Sequence, residues 1–84
     1  MEERRKHVRI ALWKTAKLLK ADGRVEGCMF VDTSAGGVRV RTSEDLAIGE
    51  KFALVVWEND IRIECQTVRR LGHDYGAVKI REMP

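Results

Sequence analysis

Lys51-Phe52-Ala53-Leu54-Val55-Val56-Trp57-Glu58-Asn59-Asp60-Ile61-Arg62-Ile63-Glu64-Cys65-Gln66-Thr67-Val68-Arg69-Arg70 is the stretch whose period decides the fold. Phe52, Leu54 and Val56 recur at every second position, and so do Ile61, Ile63 and Cys65 beyond the polar Glu58-Asn59-Asp60. Alternation of this kind lines one face of a pleated strand, whereas a helix would need apolar residues about 3.6 positions apart. Two such runs joined by short polar residues read as a β-hairpin, with strands over Lys51–Trp57 and Ile61–Arg70 and the turn at Glu58-Asn59-Asp60. Val68 breaks the parity of the second run, which predicts a bulge near Gln66 or Thr67.

The same period extends outward in both directions. A first strand is expected from Val8 to Leu19, with Val8, Ile10, Leu12, Ala16 and Leu18 on one face and Trp13 on the other. Ala21-Asp22-Gly23 turns the chain into a second strand over Arg24–Val31, and Asp32 to Gly37 reads as a tight polar loop. Val38–Arg41 is a short third strand in which valines alternate with Arg39 and Arg41. Thr42 to Glu50 reads as a connection with at most one helical turn, because Leu46 stands where a capping box after Ser43 would need an acid or amide. Gly72-His73-Asp74 forms the last turn, and Tyr75–Arg81 the sixth strand, with Val78 and Ile80 on one face. Residues 10–20 also carry a partial helical stripe (Ile10, Trp13, Lys14, Lys17), but the even-numbered alternation is cleaner. Trp13, Trp57, Phe30, Phe52 and Tyr75 are expected in the core or packed at its ends rather than as a base-stacking platform. Six short strands with regular turns describe an all-β protein, a small antiparallel barrel or sandwich.

A chain of 84 residues is one domain with a thin core, which favours a surface binding site over a deep catalytic cavity. Its charged fraction of 35% is mixed in sign and interleaved with a hydrophobic fraction of 44%, a pattern of folded rather than disordered chains. The 16 basic and 13 acidic side chains leave a net charge of +3. That surplus gathers at the start, in Arg4, Arg5, Lys6, His7 and Arg9, where it suits a phosphate-bearing ligand. Cys28 and Cys65 lie in apolar runs without metal-ligand spacing and read as buried free thiols of a reducing, cytoplasmic compartment. The first residues contain no apolar signal-peptide core, and no apolar run is long enough to span a bilayer, so no membrane association is expected.

Two short patterns carry chemistry. Arg5-Lys6-His7-Val8-Arg9 places two arginines four positions apart, and Asp32-Thr33-Ser34-Ala35-Gly36-Gly37 follows between strands two and three. A guanidinium pairs bidentately with phosphate oxygens or with guanine O6 and N7, and stacks on flat rings. An aspartate accepts from the two adjacent donors of a guanine edge, a serine hydroxyl donates or accepts, and glycines let a ligand approach the backbone. Four extended residues span about 13 Å, so Arg5 and Arg9 would take different groups of a larger ligand. His7, Asp32 and Ser34 invite a catalytic triad, but nothing supplies an oxyanion hole, and no enzyme is expected.

Arg5 and Arg9 followed by Asp32, Ser34 and Gly37 resemble the RxxxR and (D/N)xSxxG motifs of the PilZ domain, the bacterial receptor family for the second messenger cyclic di-GMP. Leu46-Ala47-Ile48-Gly49-Glu50, Val68-Arg69-Arg70 and Tyr75-Gly76-Ala77-Val78 resemble later parts of that family, so the likeness covers nearly the whole chain. It implies a six-stranded antiparallel β-barrel over residues 10–84 with a flexible basic arm over residues 1–9, as a single domain. It implies that Arg5 and Arg9 bind phosphate and guanine, that Asp32 and Ser34 bond a guanine edge, and that Gly37 with Gly36 leaves room for the base. Arg4, just before the motif, would favour an intercalated pair of ligands. The resemblance implies no cofactor beyond the nucleotide ligand. On ligand binding the arm would order against the barrel and alter a surface read by a protein partner or a neighbouring domain. Two other readings compete: a nucleic-acid-binding barrel, motivated by the basic charge, and a protein-interaction module without a ligand.

Overall fold

The computed structural model of the chain describes residues 9–57 and 61–83. Each period-two segment forms a strand: β1 (Ile10–Lys20), β2 (Val25–Thr33), β3 (Gly37–Arg41), β4 (Lys51–Val56), β5 (Ile61–Leu71) and β6 (Asp74–Met83). All neighbours pair antiparallel in the order β1-β2-β3-β6-β5-β4, and β4 closes back onto β1. The expected all-β barrel is therefore the fold. Closure leaves no sheet edge, which is how a small β domain satisfies its outer backbone groups. Residues 10–20 are strand rather than helix because β1 can bond on both sides, Lys14–Leu19 to β2 and Lys17–Lys20 to β4. Val8 and the turn expected at Glu58-Asn59-Asp60 lie outside the described residues.

The interior is the set of alternating residues. Leu18, Val40, Leu54, Cys65 and Tyr75 are fully buried, with Phe30, Phe52 and Ile63 close behind. Burying each large side chain contributes about 1.5–3 kcal/mol. The connection between β3 and β4 contains no helical turn. It drops buried Leu46 onto the core and is held by the Tyr75 hydroxyl, which accepts from Leu46 N (3.2 Å) and donates to the Glu44 carbonyl (2.9 Å). Its far end is clamped to β5, where Gly49 N donates to Thr67 O and Thr67 N to Glu50 O. Cys28 and Cys65 are buried free thiols, as expected.

The register corrects several expectations. β2 does not stop at Val31 but runs through Thr33, because Asp32 and Thr33 pair with Ala11 and Ile10 on one side and with Arg39 and Val38 on the other. In β6 the inward residues are Tyr75 and Ala77, opposite Val40 and Val38, while Val78 and Ile80 are exposed. A register shift between Glu64 and Cys65 leaves Ile80 as the extra residue on β6. The predicted bulge of β5 is present, between Thr67 and Arg69, with Val68 turned outward. Trp13 and Trp57 are not core; they are 56% and 67% exposed. Trp13 sits in a bulge between Ala11 and Lys14 with φ 49°, a left-handed conformation that a bulky residue rarely adopts. Ile10 is exposed and Leu12 is half-buried against the core, whereas Ala16 and Leu18 point inward as expected.

Candidate ligand-binding site

Strand pairing brings the two sequence patterns together. β1 begins at Ile10, opposite Thr33, so the residue before it, Arg9, emerges beside the end of β2. Arg9 grips Asp32: Nε donates to Oδ1 at 2.8 Å, and Nη2 lies 2.7 Å from the same oxygen. The other oxygen, Oδ2, faces Arg39 Nη1 at 3.6 Å, because Arg39 is the β3 residue directly opposite Asp32. The carboxylate is thus flanked by two guanidinium groups and its side chain is 13% exposed, against 37% for Arg9 and 45% for Arg39. Asp32 is a strand residue rather than a loop residue, which fixes its backbone on both sides and aims its side chain along a defined row of the outer face.

The loop proper is only Ser34-Ala35-Gly36. Ser34 N donates to the Gly37 carbonyl at 2.9 Å, closing the turn, and the Thr33 hydroxyl bonds the Ser34 and Gly37 carbonyls. Ser34 itself is buried at the tip. The tip is tied to β6, where Lys79 N donates to the Gly36 carbonyl at 3.0 Å. At Gly37 a Cβ would stand 3.0 Å from the Ala77 carbonyl oxygen, so β6 would have to give by a few tenths of an ångström to admit a side chain. Positive φ among the described glycines belongs to Gly23, Gly49 and Gly72, so what favours glycine at position 37 is the close approach of β6 rather than turn conformation.

Of the residues singled out from sequence, Arg9 and Asp32 are in direct contact, and Ser34, Gly36 and Gly37 form the hairpin tip that follows. Arg4 and Arg5 lie outside the described residues. Arg39 belongs to neither motif and alternates with valines along β3; its place opposite Asp32 makes it part of the site. The alternation Val38-Arg39-Val40-Arg41 was the available signal, but it names a face and not a neighbour. One register step away, Arg41 bonds Asp74 (Nε to Oδ1, 2.7 Å) and lies 5.5 Å from the centre of the Trp13 ring. The hydrogen bond from Arg41, ahead of its charge, holds the Asp74 carboxyl below the usual carboxylate range and raises the Arg41 guanidinium in turn.

A carboxylate held between two cationic forks at a sheet surface can take the donors of a purine edge while the forks take phosphate or the purine's acceptors. The family model described as PilZ domain matches residues 3–84. No curated protein matches the chain.

Proposed function

The chain belongs to the PilZ domain family, a known cyclic di-GMP-binding module and not a catalytic family, and on that premise we propose that it is a cyclic di-GMP receptor. The observation that carries this reading is the contact between Arg9 and Asp32, one residue from each motif, at the end of β2. In this reading Asp32 accepts from the guanine edge, with Ser34 beside it. Arg9 and Arg5 take phosphate and the guanine's O6 and N7, Arg4 favours a stacked ligand pair, and Gly36 and Gly37 keep the tip narrow enough for a base to lie against it.

Energetics allow the exchange. The Arg9–Asp32 contact is itself a hydrogen bond to a charged group, with Asp32 13% and Arg9 37% exposed, so the exchange trades interactions of the same class. A guanine edge that replaces it brings two donors, and hydrogen bonds to a charged group contribute about 1.5–3 kcal/mol. Arg9 is then released to follow the phosphate, drawing residues 1–9 over the barrel, and that reordered surface is what a partner protein or adjoining domain reads. No helix among the described residues is long and apolar enough to cross a membrane. The reading itself places the receptor in the cytoplasm.

Isothermal titration of the full chain with cyclic di-GMP tests the proposal. Saturable heat is expected at micromolar protein, and Arg9→Ala and Asp32→Ala should each weaken it by about tenfold or more. No heat with the nucleotide, or equal binding of unrelated single-stranded RNA, would overturn it; the latter outcome would favour the nucleic-acid reading.

A further inference from the structure

The Asp32 row does not end at Arg39. Across the outer face, Asp32 stands opposite Arg39 on β3, Arg39 opposite Gly76 on β6, and Gly76 opposite Arg69 on β5. Gly76 is bare, and Arg69 lies over it: a Cβ built on Gly76 would meet Arg69 Nε and Nη2 at 3.5 Å. Arg39, Gly76 and Arg69, together with Leu71, Asp74 and Tyr75, line a surface depression of about 310 Å³.

The charges of this depression are unbalanced. Arg24, Arg41, Arg70 and Arg81 each bond a carboxylate, of Asp22, Asp74, Asp45 and Glu64. Arg69 has no carboxylate partner among the described residues, and Arg39 shares Asp32 with Arg9 at the longer distance of 3.6 Å. The one acid in the lining, Asp74, is held by Arg41 at 2.7 Å. Arg39 and Arg69 in the row, and Arg9 at its end, set against Asp32 leave a formal surplus of two positive charges. An anion is the complement of such a row, and a planar fork over a bare glycine presents its donors without a side chain in the way.

From this geometry we infer that Arg39 and Arg69, with Gly76 as floor, form a phosphodiester subsite. Asp32 anchors a base at one end of the row, one phosphodiester of the ligand lies on Arg39 and Arg69 toward β5, and the other is left to Arg9 and the arm. A cyclic dinucleotide carries two phosphodiester charges, which the surplus of the row matches. The inference rests on the cyclic di-GMP reading and extends the site beyond both sequence motifs.

Titrations with cyclic di-GMP and cyclic di-AMP at several salt concentrations test it, on wild type, Arg69→Ala, Arg69→Lys and Asp32→Ala, each checked for folding by circular dichroism. Arg69→Ala should weaken cyclic di-GMP about ten- to hundredfold. It should also flatten the salt dependence of affinity while leaving the preference for guanine over adenine intact. Arg69→Lys, which keeps the charge but loses the fork, should fall between. Asp32→Ala should lose the base preference. If wild type binds and Arg69→Ala matches it in affinity and salt dependence, the subsite is refuted and the receptor reading stands. If wild type does not bind, both fall. Should Arg69→Ala not fold, an Arg69→Lys protein indistinguishable from wild type refutes the subsite by itself.

Discussion

Removing one oxygen atom, by Tyr75→Phe, should destabilise the barrel more than most core truncations of similar size. The ring stays, so the core volume and the Arg70 guanidinium packed 5.2 Å from the ring centre are unchanged. What is lost is the hydroxyl that accepts from Leu46 N and donates to Glu44 O. Leu46 is 2% exposed, so water cannot readily replace the partner of its N–H, and an orphaned buried donor costs about 1–3 kcal/mol. The Glu44 carbonyl is on a half-buried residue and regains water more easily, adding about 0.5–1.5 kcal/mol. The expected loss is about 2–4 kcal/mol, which for a domain of this size lowers Tm by roughly 10–30 °C. Urea denaturation followed by far-ultraviolet circular dichroism measures it, with the midpoint expected to fall at an unchanged slope. A loss below about 0.5 kcal/mol would refute the reasoning, since the connection would then be held by Leu46 packing and the Thr67 clamp alone.

Other consequences are independent of that bond. Thr67 Oγ1 is buried without a hydrogen-bond partner among the described residues, so Thr67→Val should be neutral or stabilising by up to about 1 kcal/mol; a clear loss in urea denaturation would reveal a bonded hydroxyl. Trp13 holds φ 49°, so Trp13→Gly should be more stable than Trp13→Ala by about 1–2 kcal/mol, a reversal of the usual order; equal midpoints for the two variants would contradict the left-handed bulge. Burial pushes the Cys28 and Cys65 thiols up from 9.0 to about 11 and about 12. The unfolded chain therefore ionises first, and their contribution to stability, full below pH 9.0, should be lost as pH rises toward 11–12. A Cys28→Ala/Cys65→Ala protein should show a shallower alkaline decline, and parallel profiles would contradict the assignment.

The hairpin of β4 and β5, the inward faces of Phe52–Val56 and Ile61–Thr67, and the strand identity of residues 10–20 follow from period two, because alternation is a local property that any pairing partner must respect. Both motifs were legible for the same reason: residue type and spacing need no neighbour. What alternation does not contain is register. Alternation lets either face of β6 point inward, so the exposure of Val78 and Ile80 and the burial of Tyr75 and Ala77 were settled only by the pairing of β6 with β3 and β5. The same holds for the site. Sequence alone determined that a basic arm and an Asp-Ser-Gly segment coexist in an all-β chain. Only tertiary pairing placed Arg9 and Arg39 on opposite sides of Asp32 and continued that row through Gly76 to Arg69, because a row across a barrel joins residues that are distant along the chain.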